Sequence, residues 1–215
     1  MNSSPSPSRL LYRAVLLFGA VLIAVLLVAR FIFPGRTGSP SELGRINLVP
    51  PFSLTERSGR TITNNDLFGH IWVADFVYTT CPGPCPLVTA GMAKVQAAVS
   101  RDPKVQLVTF TVDPQNDTVP VMAAYADKFG ADKDRWWFLT GPEKSIYSLI
   151  QEGFFQPVVD NRGKPPEEGQ FTVTHSTQLA LVDGNGTVRG FYDGLGPEGR
   201  ADLLKAIKIL EKESD

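Results

Sequence analysis

Residues that bind soft metals or carry redox chemistry are scarce in this chain. It has two cysteines, Cys81 and Cys85, and two histidines, His70 and His175. Two cysteines cannot make the disulfide framework that braces small secreted domains. They are left as a redox pair, as metal ligands, or as small buried apolar residues. An excess of one charge is missing too. The 21 Lys and Arg nearly cancel the 22 Asp and Glu, leaving a net charge of -1, so nothing argues for a nucleic-acid partner. There is no internal repeat.

One long apolar run is present. Leu10 to Phe33 carries only Arg13 and Arg30 as charges, both near its ends. Its 24 residues would make a helix about 36 Å long, enough to cross a hydrocarbon core of about 30 Å. Both arginines can then reach the interface. The run has no polar face, which argues against a buried globular helix. A cleaved signal peptide is the alternative, although no small-x-small site separates the run from Arg30-Phe31-Ile32-Phe33. No cysteine precedes Cys81 to take a lipid. The segments therefore read as a polar tail (1–9), a transmembrane anchor (10–33), a Pro/Gly/Ser-rich linker (34–43) and a globular domain (44–215). Arg9 and Arg13 before the run, and Arg30, Arg36 and Arg45 after it, do not fix the orientation. Large domains translocate despite such charges, so the domain is expected on the extracytoplasmic side of a membrane, the periplasm or its equivalent.

Within the domain, Phe52–Thr55 and Arg60–Thr63 read as a hairpin, and Asn64 to Phe68 as one helical turn. Ile71–Tyr78, Val105–Val112 and Trp136–Thr140 are apolar runs of strand length, as for strands buried on both faces. Helices are expected from Pro86 to about Ser100, from Asp117 or Thr118 to Phe129, and from Pro142 to Glu152. Phe154 to Gln170 is a long irregular stretch. Thr177–Val182 and Thr187–Tyr192 form a second hairpin around Asp183-Gly184-Asn185-Gly186, and Pro197–Glu213 is an amphipathic helix. This order predicts an α/β three-layer sandwich with a mixed sheet and a hairpin at each end. With a cysteine motif at the first strand-to-helix turn, the arrangement is thioredoxin-like.

Cys81 falls in that turn and Cys85 at the helix start, with Pro82, Gly83, Pro84 and Pro86 around them. The spacing allows a disulfide or two thiolates on one metal. A helix N-terminus favours negative charge, so lowered thiol pKa values are expected. A third group must choose between redox and metal chemistry. His70 precedes the first central strand, away from the cysteine turn, and reads as a surface loop residue. His175 follows the long loop and precedes a strand, where it can reach the cysteine end of the sheet. Asp113 sits at the C-terminal end of a strand, the end where α/β folds place function; a turn or capping role is the alternative.

Three separated motifs, TTCPGPCP, TVDPQNDTVPVMAAYADKFG and THSTQLALVDGNG, occur in that order. Together they make the chain from about Phe52 onward resemble the Sco/SenC family of copper-binding assembly factors for cytochrome oxidase. The resemblance implies copper held by Cys81, Cys85 and His175, with Asp113 orienting the site or meeting a partner. It implies delivery of copper to the binuclear copper site of a respiratory oxidase subunit or to another cuproprotein. A soft S, S, N donor set suits copper, and a structural zinc would want a fourth protein ligand. Thiol–disulfide exchange with a partner's copper-ligand cysteines is the alternative use of the same pair. The chain departs from the family in having Gly83 where an acidic residue is common and Thr174 where Asp is common.

Overall fold

The computed structural model describes residues 18–19, 43–162 and 173–213. The chain divides into two units, Met1–Glu42 and Leu43–Asp215. Of the first, only Phe18 and Gly19 are described, both helical. The rest of the expected anchor and the linker up to Glu42 lie outside the described residues. Among the described residues no helix is long and apolar enough to cross a membrane.

The second unit is built on three parallel strands. These are β4 (Ile71–Val77), β5 (Val105–Thr111) and β6 (Trp136–Thr140), and every residue in them is buried. Such continuous apolar runs are what a strand covered on both faces needs. The register runs from Ile71 opposite Val105 to Val77 opposite Thr111. Two antiparallel hairpins extend the sheet. β2 (Ser53–Glu56) and β3 (Thr61–Thr63) join along β6, and β9 (Gln178–Val182) and β10 (Thr187–Asp193) join along β4. A two-residue strand, β1 (Asn47–Leu48), completes the order β1-β10-β9-β4-β5-β6-β2-β3. The second hairpin turns as its sequence predicts. The Asp183 carboxylate accepts the main-chain N–H groups of Asn185 and Thr187, both at 3.0 Å, and Gly186 takes φ +80°.

Side chains alternate across the strands. Trp72, Phe76 and Phe110 point to one face, where Phe154 packs at 5.0 Å from Phe76 between ring centroids. Phe154 follows α4 (Glu143–Ser148) and its π-helical continuation, Leu149–Gly153. The other face is covered by α2 (Cys85–Ala98), α3 (Val119–Lys128) and α5 (Pro197–Glu213). Thus Tyr125 of α3 meets Phe138 of β6, and α2 packs on β4 and on α5. The expected hairpins, central strands and helices on both faces are all present. The short helix α1 (Asn64–Leu67) is also where expected.

Two details differ from expectation. Thr118 occupies the cap position of α3 but makes no side-chain capping bond, and Asp117 beside it turns inward. The two-residue strand β7 (Val159–Asp160) lies in the stretch expected to be irregular and pairs with β8 (Val173–Thr174), just beyond it, in a small separate sheet. Residues 163–172 between them are outside the described residues.

Candidate metal centre

Strand β4 hands the chain directly to the cysteines. Cys85 is the first residue of α2, Pro84 its cap, and Pro86 lies in the first turn, where a missing N–H costs no helical bond. The turn before Cys81 is pinned from below. The fully buried Asp117 carboxylate accepts the Thr79 hydroxyl at 2.5 Å, the Thr79 main-chain N–H at 3.2 Å and the Thr111 hydroxyl at 2.5 Å. Burial raises its pKa first, and the Thr111 and Thr79 donors oppose that rise. Behind α2, the Thr89 hydroxyl donates to the Cys85 carbonyl at 3.0 Å. Its one proton is thereby committed, so the Tyr125 hydroxyl, also at 3.0 Å, is the donor to Thr89.

His175 comes to this point from the far end of the chain. It directly follows β8 and is half-buried, with Nε2 at 3.2 Å from the Cys85 sulfur and Nδ1 at 2.8 Å from the Ser176 carbonyl. A carbonyl only accepts, so Nδ1 carries the ring proton and the Nε2 lone pair faces the Cys85 thiol. Burial lowers the imidazole pKa, which keeps the ring neutral at physiological pH. The loop reaches this position because Gly194 lets main chain meet main chain. A Cβ there would stand 2.5 Å from the Thr177 carbonyl oxygen and 3.3 Å from Val88 of α2.

Both cysteines are free thiols and both are buried. The expectation of a lowered thiol pKa is wrong for Cys85. Its side chain is wholly excluded from water, and this burial raises its pKa, with the Cys81 thiol beside it adding to the rise. Desolvation of a thiolate here outweighs the helix terminus. The neighbouring Tyr78 main-chain N–H works in the opposite direction. Among the described residues no set of three or more His, Cys, Asp or Glu side chains is already drawn together as a metal cluster. What stands is a chain of neighbours, Cys81 beside Cys85 and Cys85 on His175.

Asp113 is buried rather than displayed. Its carboxylate accepts Asn116 Nδ2 at 2.8 Å and faces Arg162 Nη1 at 3.4 Å. Arg162 also grips Asp160 and Glu143, at 2.6 and 2.5 Å. Asp113 therefore ties the base of the β7–β8 arm to the end of β5. His70 lies just before β4, at the opposite end of that strand from the cysteine turn. Three residues around the site escape the sequence reading. Asp117 was read only as a helix cap, and Tyr78 only as strand. Asp75 is fully buried in β4, with one oxygen accepting Thr109 at 2.5 Å and the other without a partner among the described residues. Desolvation raises its pKa from 3.8 to about 7. Its one sequence signal is an acid inside the apolar run IWVADFVY.

The SCO1/SenC family model matches residues 40–210. A "SCO1 protein homolog" from Bacillus subtilis (strain 168) is 30% identical over 161 residues, covering 74% of this chain and 81% of that protein. Three solved structures share the fold. A SCO1/SenC family lipoprotein from Bacillus anthracis str. Ames is 34% identical, with a TM-score of 0.69 over 78% of this chain and 97% of that one. BsSco, described as a Sco-family cytochrome c oxidase assembly protein with a disulfide switch, is 29% identical. Its TM-score is 0.66 over 79% and 97% of the two chains. Bradyrhizobium japonicum ScoI with copper bound is 27% identical, with a TM-score of 0.61 over 74% and 98%. The thioredoxin-like sheet, the cysteine turn at its first strand-to-helix junction and the extent of these matches lead to one assignment: the chain belongs to the SCO1/SenC family.

Proposed function

We propose that this protein is a copper metallochaperone that holds one copper ion between Cys81, Cys85 and His175. It passes that ion to the binuclear copper site of a cytochrome c oxidase, or to another cuproprotein. The observation that carries this reading is the Cys85–His175 contact, in which the Nε2 lone pair points at the thiol. The residues fit the ion. Two thiolates and a neutral imidazole are the donors copper takes from proteins. A trigonal ion with bonds of about 2.3 Å to sulfur and 2.0 Å to nitrogen would hold those two atoms about 3.7 Å apart. The present 3.2 Å needs only a small opening. Copper is the cargo; the chain's part is to present the donors, give up the thiol protons and exclude water by burying both sulfurs. The copper-bound ScoI structure and the oxidase-assembly description of BsSco support extending this role to a chain that shares their fold.

The same reading places residues 10–33 in a membrane as an anchor, 34–43 as linker and 44–215 as the copper domain on the extracytoplasmic side. The support is the length and apolarity of the run. Copper titration of the full chain tests the site. One equivalent should bind the parent and be lost in Cys81→Ala, Cys85→Ala and His175→Ala. Parent-like affinity in His175→Ala would remove the imidazole from the site.

A second reading is favoured by the free, adjacent thiols and by the disulfide switch described for BsSco. In it, the Cys81–Cys85 dithiol gives two electrons and two protons to a disulfide in a partner's copper site. That disulfide becomes a dithiol, and Cys81 and Cys85 become a disulfide. His175→Ala should still carry out this exchange while losing copper binding, which separates the two readings.

A further inference from the structure

Tyr78 lies between two members of the proposed ligand set, Cys81 and His175. Its main-chain carbonyl accepts the Cys81 N–H at 3.3 Å. Its ring packs edge-on against His175, with centroids 5.8 Å apart at 81°. Its hydroxyl lies beside the Cys81 thiol. The side chain is 1% exposed, and yet the hydroxyl makes no well-formed hydrogen bond to any group among the described residues. A buried hydroxyl without a partner is costly, and most such groups in folded proteins are satisfied. A phenylalanine would fill the same space without that cost. The hydroxyl therefore belongs to a state in which its partner differs from the one present here.

The chemistry of the neighbour identifies that state. A protonated thiol is a weak acceptor, so a phenol beside it gains little. A thiolate is a strong acceptor, and a hydrogen bond to an ionised partner is shorter and roughly twice as strong as a neutral one. Cys81 becomes a thiolate when the site takes up copper. We propose, on the basis of the copper reading above, that the Tyr78 hydroxyl donates to the Cys81 thiolate of the copper-loaded site and biases that site toward Cu(I). The direction follows from charge. A donor on the sulfur withdraws electron density from it, and a poorer sulfur donor costs Cu(II) more than Cu(I). Hydrogen bonding around a ligating sulfur tunes the potential of copper sites in this way. Tyr78 is thus a positioning residue that acts through Cys81. A phenol keeps its proton at physiological pH and so is available as a donor.

The test is Tyr78→Phe in the full chain, purified in mild detergent. The substitution removes one unpartnered oxygen, so the metal-free variant should melt at or above the parent temperature and still bind one copper. The copper reduction potential should fall. A tenfold loss of preference for Cu(I) over Cu(II) corresponds to 59 mV for a one-electron couple. The sulfur-to-Cu(II) charge-transfer band and the Cu(II) EPR parameters should shift with it, whereas a residue that only fills space would move none of these. Superimposable potentials and spectra in parent and variant would overturn the inference and leave the copper site standing. A parent chain that binds no copper would overturn both.

Discussion

Asp75 offers the sharpest test of the fold's electrostatics. It sits in the central strand β4, wholly buried, with one oxygen on the Thr109 hydroxyl and the other without a partner among the described residues. Thr109 cannot give more, because its single proton is spent on Asp75 and its lone pair accepts Trp136 Nε1 at 2.8 Å. Desolvation moves the carboxyl from 3.8 to about 7, so the folded chain binds its proton more tightly than the unfolded one. The associated stability is present in acid and is lost as pH rises from 3.8 through 7. With those two values the loss is about 2 kcal/mol at pH 5 and about 4 kcal/mol at pH 8. Asn has the same shape, keeps an acceptor for Thr109 and cannot ionise. Asp75→Asn should therefore gain roughly 2–3 kcal/mol more over the parent at pH 8 than at pH 5. Urea unfolding of the reduced, metal-free protein at both pH values measures that difference of differences. A gain that stays constant with pH, to within about 0.5 kcal/mol, would mean that Asp75 titrates as an ordinary carboxylate and that the desolvation argument is wrong.

Other perturbations reach the site from different sides. Asp117→Ala strands three donors, the Thr79 N–H and the hydroxyls of Thr79 and Thr111. It should cost about 2–4 kcal/mol in denaturant unfolding and weaken copper binding by loosening the turn before Cys81; parent-like stability would show that the turn holds itself. Gly194→Ala puts a methyl 2.5 Å from the Thr177 carbonyl. A loss of about 1–3 kcal/mol and weaker copper binding are expected, and an unchanged melting temperature would count against the close approach. Copper affinity measured by chelator competition should rise from pH 6 to pH 8. The raised pKa of Cys85 means its proton must leave on binding throughout that range, and a flat profile would contradict a buried thiol as ligand. The lowered pKa of His175 acts on stability instead, and its sign is opposite to that of Asp75. That contribution is whole above the ordinary value of 6.5 and is lost as pH falls below it toward the folded value. Acid unfolding of His175→Ala should lack this component.

The elements that the sequence reveals are those whose pattern has one physical explanation. IWVADFVY, VQLVTFTV and WWFLT are long apolar runs bounded by turn residues, and they became β4, β5 and β6 within a residue of their expected ends. The hairpin around Asp183 was equally plain, because its turn chemistry is local. β1, β7 and β8 have two residues each, too few to show any period. β1 is fixed by partners more than a hundred residues away, through Asn47 Nδ2 on the Glu152 and Gly153 carbonyls. The site divides in the same way. Cys81 and Cys85 are conspicuous because no other cysteine competes with them. Joining His175 to them required family motifs, since 90 residues separate it from Cys85 and no local pattern predicts the contact. Tyr78 had no signal, because an aromatic residue ending a buried strand is ordinary core.

The Cys85–His175 contact links the two fates open to the thiols. In the metal-free, reduced chain a proton lies between sulfur and Nε2. In the proposed copper site, loading would replace that proton with the ion, and the imidazole would keep a partner in either state. Disulfide formation is different. It turns the Cys85 sulfur toward Cys81, removes its proton and leaves Nε2 facing a sulfur that can no longer donate. The half-buried ring then holds a polar atom with no protein partner, which costs free energy unless water reaches it. The arrangement thus favours the reduced pair by whatever that contact is worth, and His175 bears on the redox balance without exchanging an electron. His175→Ala removes the contact from the reduced state only, so the Cys81–Cys85 disulfide of the variant should be harder to reduce than that of the parent. Equilibration against glutathione buffers reads the potential directly. A loss of about 1.4 kcal/mol would appear as a shift of about 30 mV to lower potential. A shift to higher potential would mean that the imidazole stabilises the oxidised pair, and the contact would then have to be read as serving disulfide formation rather than copper capture.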